Sequence, residues 1–140
     1  MRVSRFLVAA GLAVLVGVGS VAILAAQSKT DEDYDKLMKG VGAANGAMRK
    51  GTDPAAQAGE AAKMVALLKD AQQFWTARSN KEAADWAGAA ATHAASAEKA
   101  YKSNNAEAAA AALKELGGTC QTCHAKYREK TETGFAIKKG

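Results

Sequence analysis

Proline is nearly absent from this chain, cysteine is scarce, and large aliphatic side chains are few. A single Pro in 140 residues leaves helices free to run long, since interior Pro is the commonest helix breaker. Two Cys exclude a disulfide-stapled mini-protein, and the pair, separated by two residues, would close too small a loop to stabilise much. The length leaves room for one domain and is too short for a multidomain enzyme. Charge of one sign is not concentrated either. Removing Arg2 and Arg5 from the formal +5 leaves +3 spread along the remaining chain without basic blocks, so nothing marks a nucleic-acid partner.

The first 26 residues read as a segment apart. Arg2 and Arg5 precede an apolar run from Phe6 to Ala26, interrupted only by small Gly and Ser, and Ser20-Val21-Ala22 supplies a small-x-small triplet suited to cleavage after Ala22. The alternative is an uncleaved anchor, because that run reaches the ~20 residues needed to cross a bilayer. Either way residues 27–140 are expected to fold on the outer side of the inner membrane, in the periplasm, touching the membrane only if the segment is retained.

In residues 27–140 only ten positions are Leu, Ile, Val or Phe, about 9%, where less than ~20% warns of disorder. About a quarter of the same stretch is Ala, the best helix former. Strong helices with little to bury point to a missing apolar component.

Four helical stretches follow from the 3.6-residue pattern. The first spans Asp31 to Lys50, with Tyr34, Leu37, Met38, Val41 and Met48 on one side and acidic residues at its start. Asp53 and Pro54 then give a cap and a first helical residue for a second helix, expected to end near Leu68 or Ala71. Its stripe is Ala58, Ala61, Ala62, Val65 and Leu68, with Met64 at the edge and Phe74 and Trp75 closing the loop that follows. Asn80 caps a third helix to about Lys102, with Ala83, Trp86, Ala87, Ala90, Ala94, Ala97 and Tyr101 in line. Ser103-Asn104-Asn105 starts a fourth, striped by Ala109, Leu113, Leu116, Cys120, Cys123, His124 and Tyr127, and the tail after Lys130 reads as frayed. Short connections favour an all-α, antiparallel up-down-up-down four-helix bundle.

Near the end of the fourth helix stands Cys120-Gln121-Thr122-Cys123-His124, a C-x-x-C-H pattern that marks covalent attachment of c-type haem. Cys at i and i+3 share a helical face, so both sulfurs can form thioethers on one porphyrin edge, and His124 then offers an imidazole to the iron. Such haem is attached outside the cytoplasm, in agreement with the leader. A macrocycle between Ala-lined helices would bury several hundred Å², on the order of 10 kcal/mol at ~25 cal/mol per Å², and Trp86 is placed to pack on it. Gly117-Gly118 reads as a close approach by the haem or a neighbouring helix, or as a helix break.

A sixth iron ligand is sought among the methionines. In an antiparallel pair Met38 falls level with residue 123, whereas Met48 lies ~15 Å further along at 1.5 Å per residue. Met64 is closer than Met48, and its place at the stripe's edge argues against it. His93 lies about five residues, ~7.5 Å, beyond the haem level and reads as partly exposed.

The run from Gly117 to Arg128, Gly-Gly-Thr-Cys-Gln-Thr-Cys-His-Ala-Lys-Tyr-Arg, resembles the cytochrome c-prime family, exported four-helix bundles with one haem near the C-terminus. Asp35-Lys36-Leu37-Met38-Lys39-Gly40 is similar to its low-spin branch. The resemblance implies thioether attachment at Cys120 and Cys123, His124 as proximal ligand and Met38 as sixth ligand, with Arg128 near the haem or as a solvated end-of-helix charge. High-spin members leave the sixth position open, and some bind nitric oxide or carbon monoxide.

The expected function is therefore a monohaem electron carrier and not an enzyme. It would exchange single electrons with redox partner proteins as a monomer or homodimer, because His/Met ligation keeps iron six-coordinate and raises its potential. The competing function is binding of nitric oxide or carbon monoxide at an open distal site. A structural zinc site of Cys120, Cys123, His124 and His93 is disfavoured by the adjacency of Cys123 and His124 on one helix. A thioredoxin-like dithiol lacks the preceding strand.

Overall fold

The computed structural model describes residues 29–138, so the leader lies outside the described residues. Four helices occupy most of this length: α1 (Asp31–Lys50), α2 (Pro54–Ala77), α3 (Lys81–Lys102) and α4 (Ala106–Tyr127). A hairpin of β1 (Arg128–Thr131) and β2 (Gly134–Ile137) follows. Among the described residues no helix is long and apolar enough to cross a membrane.

Each helix begins where a short polar side chain can take up free backbone N–H groups. Thr30 and Asp33 form a reciprocal capping box at α1, Thr30 Oγ1 accepting from the Asp33 N–H and the Asp33 carboxylate from the Thr30 N–H. Asp53 accepts from the N–H groups of Ala55 and Ala56, Asn80 from that of Ala83, and Asn105 from that of Ala108. Ser79 and Asn104 take left-handed φ values of 57° and 52° and turn the chain between successive helices.

The second helix is longer than its sequence pattern implies. It continues through the polar Gln72-Gln73 and Thr76 to Ala77, because Phe74 and Trp75 extend its inner face and are only 3% and 4% exposed. Burial of two aromatic rings outweighs the local loss of periodicity. Met64 lies at the centre of that face at 1% exposure, while Ala62 is exposed and Val65 half-buried. The tail likewise departs from the frayed expectation. Arg128 to Thr131 pair antiparallel with Gly134 to Ile137 around Glu132-Thr133, and Ile137 packs against the Phe74–Trp75 cluster.

Successive helices run antiparallel. The Gln57 side chain donates to the Met48 carbonyl between α1 and α2, Gln72 fits over Gly88 between α2 and α3, and Tyr127 reaches Asn80 and Glu82 between α4 and α3. The backbones of α1 and α2, α2 and α3, and α3 and α4 pack closely, whereas α1 and α4 meet through side chains. This is an all-α four-helix bundle.

Among the described residues Ala supplies fourteen of the twenty-four buried apolar positions, which lets α3 pack closely against α2 and α4 and makes up much of the shortfall in large aliphatics. Leu37, Val41, Met48, Met64, Leu68, Leu113 and Leu116 fill the spaces between them. No buried side-chain polar atom among the described residues lacks a partner.

Candidate functional site

The last two turns of α4 carry Cys120, Cys123 and His124, all half-buried, at the end of the bundle where α1 and α3 begin. Helical spacing puts the three on one side of α4. Cys120 packs against the main core together with Met38 and Tyr34 of α1. Glu82, in the first turn of α3, acts on Cys123, and Arg128 acts on His124.

Arg49 fixes how α1 lies along α4. Its Nε donates to Asn45 Oδ1 at 3.1 Å, and its Nη2 reaches the Leu113 carbonyl of α4 at 3.3 Å. Eleven residues back from Arg49 is Met38, and eleven on from Leu113 is His124, so by helical rise the two lie within about a turn of the same level on α1 and α4. Met38 stays half-buried, while Met48 and Met64 are enclosed by the helices themselves.

The surroundings determine which chemical form each donor takes. Burial pushes the Cys123 thiol up to about 11, with Cys120 and Glu82 adding to the push. Burial likewise raises Cys120, and the Arg49 charge draws it partly back. At neutral pH both sulfurs are therefore thiols, inert as metal-binding thiolates yet the form that adds across a vinyl group, the sulfur bonding one carbon and the hydrogen passing to the other. Burial and then Arg128 hold the His124 imidazole below its ordinary pKa, so it is neutral with a nitrogen lone pair available to a metal.

An aromatic cluster surrounds this end of the bundle. Tyr34 stacks on Phe74 at 4.3 Å and meets Trp75 edge-on at 5.4 Å, Trp75 lies 5.3 Å from Tyr127, and Tyr127 lies 5.9 Å from Trp86. The Tyr127 hydroxyl donates to the Glu82 carboxylate at 2.9 Å, and Lys126 pairs with the same carboxylate, holding the last turn of α4 to the start of α3. Both partners pull Glu82 below the usual carboxylate range.

Of the residues singled out from sequence, Met38, Cys120, Cys123 and His124 gather at one level of the bundle. His93 is half-buried and does not join them, and among the described residues no three His, Cys, Asp or Glu side chains form a metal-holding group, so the zinc set is not assembled. Trp86 sits at the same end, its nearest ring being Tyr127. Phe74 and Trp75 lie within α2 rather than in a loop. The helix runs unbroken through Gly117-Gly118; the close neighbour at Gly117 is the Arg49 guanidinium, and Gly118 has none. Sequence reasoning placed Tyr34 on the α1 stripe but missed its closeness to the thiols, and it missed Glu82, whose carboxylate holds Lys126 and Tyr127 and whose charge is felt at Cys123. Tyr34 stands four residues before Met38, one turn away on the same face, which was the available signal. Two open clefts of about 400 and 480 Å³, lined in part by Tyr101, Asn104 and Pro54, lie toward the opposite end of the bundle, the first reaching Arg49 and Leu113 but none of Met38, Cys120, Cys123 and His124.

No protein-family model matches the chain, and neither a curated protein nor a solved structure matches it.

Proposed function

We propose that the chain is an exported monohaem c-type cytochrome that carries single electrons between redox partner proteins. Cys120 and Cys123 would hold the haem covalently, His124 would be the proximal iron ligand and Met38 the sixth. One observation carries this reading: a C-x-x-C-H motif on the last turns of α4, with a half-buried Met38 level with it on α1. The donor chemistry fits the group. Two protonated thiols suit thioether formation, a neutral imidazole suits iron, and the α1–α4 seam is the side of the bundle closed by side chains rather than by close backbone packing.

When bound, the haem supplies a one-electron couple at its iron. The chain's own residues do the rest. His124 and Met38 fix the ligand set so that little rearrangement accompanies electron exchange, and Tyr34, Trp75 and Tyr127 shield that end of the bundle from water. The resemblance to low-spin cytochromes c-prime supports the same assignment, as does the leader, which would deliver the chain to the periplasm.

The test is an absorption spectrum of the protein expressed with the haem-attachment machinery, oxidised and reduced. A red protein with low-spin bands, a methionine-sulfur charge-transfer band when oxidised and little affinity for carbon monoxide is the expected result. High-spin ferrous protein that binds carbon monoxide readily would assign a gas-binding role. A colourless exported protein with both thiols free would end the reading.

A further inference from the structure

We infer that Arg49 is a fixed positive charge that biases the haem toward its reduced form; this rests on the haem reading above. Arg49 is not in the C-x-x-C-H motif, and its role comes from where α1 ends. The guanidinium is tethered at both sides, to Asn45 on its own helix and to the Leu113 carbonyl on α4. It lies 3.6 Å from where a Cβ on Gly117 would stand, an ordinary van der Waals distance that sets it against that turn of α4. Gly117 is three residues before Cys120 and shares its face, which puts the charge about one turn from the attachment cysteine.

Two further observations bear on the strength of that field. No carboxylate pairs with Arg49 among the described residues, so its charge is uncompensated, unlike Lys126 or Arg78. Burial raises both the Cys120 thiol and the Tyr101 phenol, and the Arg49 charge draws each partly back. Reduction adds one electron from a donor to the iron and lowers the charge of the haem site by one. A fixed cation at the seam therefore stabilises the reduced state over the oxidised by Coulomb attraction.

The experiment is a mediator titration of the exported holoprotein and its Arg49→Gln and Arg49→Lys variants at low and high salt. Arg49→Gln keeps an amide donor for Leu113 but removes the charge; Arg49→Lys keeps the charge. The expected result is a reduction equilibrium about threefold less favourable in Arg49→Gln, a midpoint lower by about 28 mV at 59 mV per decade. That gap should shrink in high salt, with Arg49→Lys close to the parent. An unchanged midpoint in a red Arg49→Gln protein would overturn the inference alone. An equal fall in Arg49→Lys would also overturn it, by assigning the effect to the helix tie. A colourless parent would overturn the haem reading and this inference together.

Discussion

The indole N–H of Trp75 donates a hydrogen bond to the phenol oxygen of Tyr34 across 3.0 Å, tying α2 to α1 beside the two thiols. The Trp75 ring is buried and the Tyr34 ring partly so, which leaves the indole N–H without an easy substitute partner. Replacing Tyr34 by Phe leaves the indole donor unsatisfied and should cost about 1–3 kcal/mol in urea unfolding. In Trp75→Phe the phenol loses the same partner, and the double variant should lose less than the sum of the two, because one shared bond is removed only once.

Burial pushes the Tyr34 hydroxyl up to about 12, outweighing the Trp75 hydrogen bond, which pulls it down. A phenol that ionises near 10 in the unfolded chain and near 12 in the native one favours folding while protonated. Its contribution, on the order of 2 to 3 kcal/mol, is fully present below pH 10 and lost as pH rises from 10 to 12. Ultraviolet titration of the phenols should show a tyrosine ionising near pH 12 that disappears in Tyr34→Phe. A titration that Tyr34→Phe leaves unchanged at its alkaline end would contradict the burial described.

Methionine substitutions should divide by role. Met38→Ala should open the sixth iron position, turning the spectrum high-spin and admitting carbon monoxide, with modest loss of stability because the side chain is only half-buried. Met48→Ala and Met64→Ala, at 0% and 1% exposure, should each cost about 2–5 kcal/mol while leaving the low-spin bands in place. Visible spectra and urea curves on the three variants check both halves.

Acid should loosen the start of α1. Hydrogen bonds from the Thr30 backbone and then its side chain hold Asp33 below the usual carboxylate range. A carboxyl with a depressed native pKa stabilises the fold above its unfolded value, near pH 4, and loses that effect as pH falls through the native one. Thr30→Ala should lower the urea midpoint at neutral pH, and the difference from the parent should narrow in acid.

A Cβ added at Gly118 would meet nothing within 4 Å, so Gly118→Ala in the thiol-free Cys120→Ala, Cys123→Ala chain should gain about 0.5–1 kcal/mol of helix propensity. Gly88 differs: a Cβ there would stand 2.6 Å from the Gln72 amide nitrogen, so Gly88→Ala should gain less unless Gln72 is also shortened to Ala. Thermal unfolding of both variants separates the two cases.

The helix starts were legible because Asp53, Asn80 and Asn105 act within their own segments, where a short side chain and its backbone partners lie two or three residues apart. The grouping of Cys120, Cys123, His124 and Met38 followed from helical spacing and antiparallel counting. What escaped depends on distant partners. Gln72 and Gln73 look like the end of a helix until Phe74 and Trp75 find the Tyr34 ring, forty residues earlier and on another helix. The hairpin eluded local reading because Glu132 and Thr133 are weak turn formers, and its anchor is Ile137 against the aromatic cluster. Arg49 carries no local signal of its role, since its bond to Leu113 spans sixty-four residues.

Helix ends fray first, and the final turns of α4 hold the residues on which the proposed chemistry depends. The hairpin counters that tendency: the Lys138 N–H caps the Tyr127 carbonyl, its ammonium caps that of Ala125, and the Arg128 N–H caps that of His124. A chain cut after Tyr127 would leave these carbonyls to solvent, and amide exchange should then quicken back through Cys123, weakening the grip on the imidazole without altering a single donor.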